Sequence, residues 1–137
     1  MSIEVEMVLR LLSATALGAI IGYQRERAGK PAGLRTHILI CLGAALFTIA
    51  SLYGFGGVFG GVVDPSRVAA GIVAGIGFLG AGAIMRRGEG VIEGLTTAAT
   101  IWVVAAIGLA AGAGLYLVAA VTAILVLIVL LLPHPIR

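Results

Sequence analysis

The sequence predicts an all-α membrane protein, a compact bundle of five transmembrane helices with a glycine-rich central third helix. Three observations predict it. Of 137 residues, 61% are hydrophobic and 11% charged, where soluble domains carry about a quarter charged residues. The apolar residues gather into five runs, each long enough to cross a bilayer core at 1.5 Å per helical residue. Most of the charges sit in the links between those runs or at their ends. The whole chain, 1–137, reads as one transmembrane domain with spans at about 7–23, 36–53, 66–85, 95–111 and 115–132.

The third run, VAAGIVAGIGFLGAGAIMRR, organises this reading. Glycine is costly in a soluble helix, but in lipid it lets backbones approach closely enough for packing forces to hold helices together. On a helical wheel Gly71, Gly75 and Gly82 fall on one side, with Gly77 and Gly80 roughly opposite. Two smooth faces predict a helix packed from both sides, at the centre of the bundle.

The first span follows an acidic start, MSIEVEM, without the basic leader and cleavage site of a signal peptide, so it is expected to be retained. Ala14, Gly18 and Gly22 repeat every four residues as a packing stripe. Arg10, one turn earlier on that face, either snorkels outward or points into the bundle toward an acid. The link QRERAGKPAGLRTH then carries Arg25, Glu26, Arg27, Lys30, Arg35 and Thr36, the densest basic cluster in the chain. Pro31 and Gly33 predict a tight loop there, and its charge predicts a cytoplasmic position against anionic lipid.

The second span has His37 at that end, read as a polar interface residue, and Tyr53 at the other. A glycine-rich linker follows, with Phe55 and Phe59 expected in the outer headgroup zone. Asp64, Pro65, Ser66 and Arg67 open the third span: Asp64 is available as a cap, Pro65 is tolerated in the first turn, and Arg67 is in reach of the Asp64 carboxylate. With Arg10 these two form a candidate polar cluster at an outer mouth. Arg86, Arg87, Glu89 and Glu93 link to the fourth span, where Thr96, Thr97 and Thr100 supply intramembrane hydroxyls and Trp102 reads as a packing residue. Gly108 and Gly112 repeat the four-residue spacing. The short AGAG turn makes the fourth and fifth spans antiparallel neighbours, and the fifth, rich in Leu, Val and Ile, suits lipid. The alternation of basic and non-basic links predicts a multi-pass plasma-membrane protein with the N-terminus outside and the C-terminus inside.

The residues exclude several functions. The net charge of +3 reports topology rather than a nucleic-acid partner. One cysteine and two histidines, far apart, make no metal site and no nucleophile-base pair, so neither cofactor, metal nor enzymatic activity is expected. Surplus small-residue faces predict association with another membrane protein and a homodimer.

Three blocks, IGYQRERAGKPAGLRTHILICLGAALF, DPSRVAAGIVAGIGFLGAGAIMRRG and GLTTAATIWVVAAIGLAAGAGLY, resemble the membrane domain of the MgtC/SapB family of bacterial inner-membrane proteins. The resemblance implies five spans with the basic first loop cytoplasmic. It also implies a role in adaptation to low magnesium, survival of virulent members inside macrophages and modulation of the ATP synthase. On that basis the expected function is regulation of another membrane protein, with transport of a small ion or polar solute as the alternative. Departures from the family pattern are Gln24 and Glu26, where an acid usually precedes the first loop's arginine, Gly71 in place of a glutamine, and Glu93 in place of a basic residue. A soluble C-terminal domain common in the family has no counterpart in these 137 residues.

Overall fold

Helices account for most of the described residues, and what decides their ends is visible residue by residue. A computed structural model describes residues 2–55, 63–86 and 92–133. The linker residue Phe59, the charges Arg87 and Glu89, and His134 to Arg137 lie outside the described residues.

Helix α1 spans Ile3–Arg27. The Ser2 hydroxyl accepts the Val5 N–H at 3.2 Å, Glu4 and Glu6 occupy the first turn, and Arg25 and Arg27 the last, all placed to complement the helix dipole. The sequence reading ended this helix at residue 23 and gave QRER to a loop. The structure corrects this: the helix runs one turn further, and Lys30 N–H closes it on the Arg25 carbonyl at 3.1 Å around Gly29 at φ +70°, a stop that a left-handed residue permits. The loop proper is therefore only residues 28–33.

Helix α2 spans Leu34–Tyr53, α3 Ser66–Ala83, α4 Leu95–Gly112 and α5 Tyr116–Leu130. A two-residue antiparallel pair, β1 (Met85–Arg86) with β2 (Ile92–Glu93), joins α3 to α4. Between α4 and α5 the same stop recurs: Leu115 N–H bonds the Ala110 carbonyl at 2.9 Å and Gly114 takes φ +83°. The first four helices are long and apolar enough to cross a membrane, and α5 is a shorter apolar helix.

The core lies between α1, α2 and α4, which pack on one another, with α5 against α1 and α4. Ala14, Ile21, Cys41, Ala45, Val104 and Ile107 fill it, all essentially sealed from outside. Close approach comes from glycine pairs on two helices. A Cβ at Gly18 would lie 2.8 Å from Cys41 Cβ, and one at Gly22 would lie 2.9 Å from Leu34 Cα. On α4, Gly108 meets the Cys41 carbonyl and Gly112 comes within 2.6 Å of the Ala45 carbonyl by the same measure. Helix α2 is thus clamped between two smooth stripes.

The glycine-rich third helix stands third of five, as the sequence predicts, but it is not packed from both sides. It leans chiefly on α4 and barely on α2, and buries only Ile72 and Gly80. The reason is that a glycine face shows only that a helix can be approached closely, not by which neighbour. Trp102, predicted to pack, is 55% exposed, while the lipid-type composition of α5 matches its exposure: only Ala119 and Ala123 are buried.

Candidate functional site

Polar side chains collect at the two ends of the bundle with the apolar core between them. At the end where α1 starts, Arg10 is buried and its guanidinium is held on two edges and one face. Nη1 donates to the Gly112 carbonyl at 3.1 Å, Nε to Glu6 Oε1 at 3.3 Å, and the group stacks 5.4 Å from the centroid of the Tyr53 ring. The Tyr116 hydroxyl donates to the same Glu6 oxygen at 2.9 Å. Arg10 therefore points into the bundle and meets an acid on its own helix, one turn back. It binds α1 to the end of α4, to α2 and to α5 at once. Glu6 and Tyr116 were missed in the sequence; the i, i+4 spacing of Glu6 and Arg10 is the signal that could have found the first.

Asp64 and Arg67 occupy the same end, but no hydrogen bond or ion pair joins them to Arg10. The Asp64 carboxylate accepts the Ser66 N–H at 3.0 Å and the Ser66 hydroxyl at 2.7 Å, so it caps α3 rather than bridging to Arg67. The predicted three-residue cluster is replaced by a clamp and a cap. The two Ser66 donors hold the Asp64 carboxyl below its usual range, with Arg67 adding attraction. A carboxyl with a lowered folded value contributes stability that is present above its unfolded value and lost as pH falls through the folded one. The thermal-stability gap between the chain and Asp64→Ala is therefore expected to close as pH drops below about 4. A gap that is constant from neutral to acid pH would contradict the cap.

At the opposite end the basic cluster divides. Arg27, Lys30, Arg35 and Thr36 are exposed, and Arg27 stacks on the Tyr23 ring at 5.9 Å. Glu26, also exposed, accepts the Leu34 N–H at 3.2 Å and so caps α2. Arg25 is different: it is 3% exposed and its Nη2 donates to Thr97 Oγ1 at 2.8 Å. Helical spacing explains the split, since Arg25 lies three residues beyond Gly22 and seven beyond Gly18, on the packed stripe, while Arg27 lies off it.

Thr97 opens a buried polar chain. Thr100 Oγ1 lies 2.8 Å from the Thr97 carbonyl and 3.1 Å from His37 Nε2, and His37 Nδ1 lies 2.9 Å from the Gly33 carbonyl. A carbonyl only accepts, so Nδ1 carries a proton, and the single proton of the Thr100 hydroxyl is shared between two acceptors, the Thr97 carbonyl and Nε2. Three helices are tied by this chain: Arg25 of α1, Thr97 and Thr100 of α4, His37 of α2. His37, read from sequence as an interface residue, is instead wholly buried. Thr96 is exposed and stands outside it.

Of the glycines singled out on α3, Gly80 rests on Ala98 of α4, whereas Gly71, Gly75, Gly77 and Gly82 would meet nothing within 4 Å if a Cβ were added. Gly71 and Gly75 face an apolar groove of about 680 Å³ against Gly43, Ala44 and Phe47 of α2. Among the described residues no group of His, Cys, Asp or Glu is placed to hold a metal ion.

The fold and its apolar surface define a multi-pass α-helical membrane protein. A profile described as the MgtC family matches residues 11–137, and the chain belongs to that family. It is similar to "Putative magnesium transporter YhiD" of Escherichia coli K12, 47% identical over 94% of this chain and 61% of the relative. Protein SapB of Bacillus subtilis is 44% identical over 83% of the chain and 50% of the relative. Protein MgtC of Brucella abortus is 46% identical over 91% and 50%. The chain thus spans between half and about three-fifths of the length of these relatives. No solved structure gives a significant match.

Proposed function

We propose that the chain is a non-enzymatic regulator of another membrane protein in the bacterial inner membrane, acting in adaptation to low magnesium or intracellular stress, with its basic loop cytoplasmic and its N-terminus outside. The observation that carries this is the bare third helix. At four glycines of α3 an added Cβ would meet no neighbouring element within 4 Å, and the groove beside them has small residues on both walls, Gly43 and Ala44 facing Gly71 and Gly75. Lipid gives helices no hydrophobic reason to associate, so a surface of this kind gains most from the backbone of another transmembrane helix. The occupant is a transmembrane helix of the regulated protein. Magnesium enters through the name of the YhiD relative and through the family.

Transport, the alternative, needs a polar path from end to end. Among the described residues the buried polar groups are bonded to their neighbours except Arg25 Nε and Gln24 Oε1 at the basic end, and Ala14, Ile21, Cys41, Ala45 and Val104 separate the two ends. Regulation is the better supported reading. Proteoliposomes of the purified chain are expected to pass no Mg²⁺ above the protein-free level.

The test is the double substitution Gly75→Leu with Gly82→Leu. Both positions are open, so the fold is expected to survive, while partner co-purification from native membranes falls at least tenfold, about 1.4 kcal/mol. Loss of a homodimer with no loss of partner would make the second copy the occupant. Partner capture and oligomeric state both unchanged would overturn the proposal.

A further inference from the structure

We propose that the basic end of the bundle holds a phosphate group, bound by Arg25 and the first turn of α4. This is independent of the α3 surface. Arg25 is 3% exposed, and its Nε has no hydrogen-bond partner. No described carboxylate pairs with it: the adjacent Glu26 is exposed and gives Oε1 to the Leu34 N–H. A buried guanidinium without a counter-charge among the described residues is a costly arrangement that an anion relieves, and the planar fork matches phosphate oxygens.

The second half of the site is α4. Its capping position is Gly94, which supplies no side-chain hydrogen bond, and its first turn holds no acid. The leading N–H groups of such a turn are donors awaiting an anion. Arg25 is fixed to that same turn, because its Nη2 donates to Thr97, the third residue of α4. A free donor on a buried arginine and an uncapped helix start thus meet at one place. Next to Arg25 in sequence, the Gln24 Oε1 is also buried without a partner, and its amide, turned over, presents two donors instead. Arg27, Lys30 and Arg35, exposed around this end, raise the local concentration of anions. On binding, a phosphate oxygen takes Nη2 from the Thr97 hydroxyl and engages Nε beside it.

The same chemistry is offered by the phosphodiester of an anionic lipid and by free inorganic phosphate. Full-length protein in nanodiscs of neutral phosphatidylcholine is titrated with inorganic phosphate in one arm. In the other it is compared with nanodiscs containing phosphatidylglycerol. The expected result is a rise in unfolding temperature in at least one arm, with the responding arm naming the source. In Arg25→Gln the response is expected to be at least tenfold weaker, while Arg27→Gln, which removes only an exposed steering charge, weakens it about twofold at most. Because Arg25→Gln removes a buried side chain and can fail to fold, the Arg25 Nε–H resonance of the unaltered chain, assigned by selective arginine labelling, is followed as well. It is expected to shift on addition of the probe that stabilises. No stabilisation in either arm, an unmoved Nε–H resonance, or an equal response in folded Arg25→Gln would each overturn the proposal.

Discussion

Gly108→Leu is expected to leave little or no folded protein. Gly108 is the point where α4 presses on α2: an added Cβ would run into the Cys41 carbonyl and lie 3.0 Å from Ala44 Cβ. Backbone cannot turn aside as a flexible side chain can, so the helices must separate. Separation also opens the contact at Gly112, where a Cβ would sit 2.9 Å from Ala45 Cα and from Thr48 Cβ. Overpacking a well-filled core costs about 1–3 kcal/mol, and a clash with main chain stands at or beyond the upper end. Even Gly108→Ala is expected to cost about 3 kcal/mol on that scale, read as a lower unfolding midpoint in detergent followed by Trp102 emission. Gly77→Ala is the control, since its added Cβ would meet no neighbouring element within 4 Å and alanine favours a helix over glycine by about 1 kcal/mol. Equal behaviour of the two variants would refute the assignment of α2 as the clamped helix.

Arg10→Ala carries the second large effect. Removing the guanidinium strips the Gly112 carbonyl of its donor, leaves Glu6 with only the Tyr116 hydroxyl, and uncovers the Tyr53 ring. A hydrogen bond from a charged group is worth about 1.5–3 kcal/mol, and here the loss falls where four helices converge, so about 3 kcal/mol is expected. Arg10→Lys is expected to recover only part of it, because an ammonium cannot serve carbonyl, carboxylate and ring from one plane. Chemical unfolding of the three proteins in the same detergent checks this. An Arg10→Ala loss below about 0.5 kcal/mol, the level of an exposed i, i+4 pair, would mean that the cluster is ornamental.

The sequence made the helices legible because apolar length and turn chemistry are local. Asp64 before Pro65 marks the start of α3, and the AGAG turn marks the reversal between α4 and α5. The paired glycines Gly18 and Gly22 were legible for the same reason, as a four-residue repeat on one face. What a repeat lacks is an address. Gly71 and Gly75 have the same four-residue spacing as the α1 stripe, yet with Gly82 they face a groove and open surface, while Gly108 and Gly112, with that spacing again, hold the core together. Long-range partners were illegible too. Nothing near Arg25 in sequence announces Thr97, and His37 looked solitary because its partner Thr100 arrives from α4. The phase of the helix was available: Gly18, Gly22 and Arg25 share a face, and reading that face past residue 23 would have separated Arg25 from its exposed neighbours.

The slight attachment of α3 has a mechanical consequence. The helix is joined to α4 by a ribbon of two residue pairs and buries only Ile72 and Gly80, so sliding it sideways sacrifices little of what stabilises α1, α2 and α4. Its distance from α2 is then set by the lateral pressure of whatever surrounds it. Acyl chains pressing in would narrow the gap, and an inserted helix would hold it open. Bilayer thickness and lipid packing thereby become variables to which this surface responds, with the bond from the buried Ser51 hydroxyl to the Pro65 carbonyl, 3.1 Å long, as the point where the start of α3 stays tied to α2.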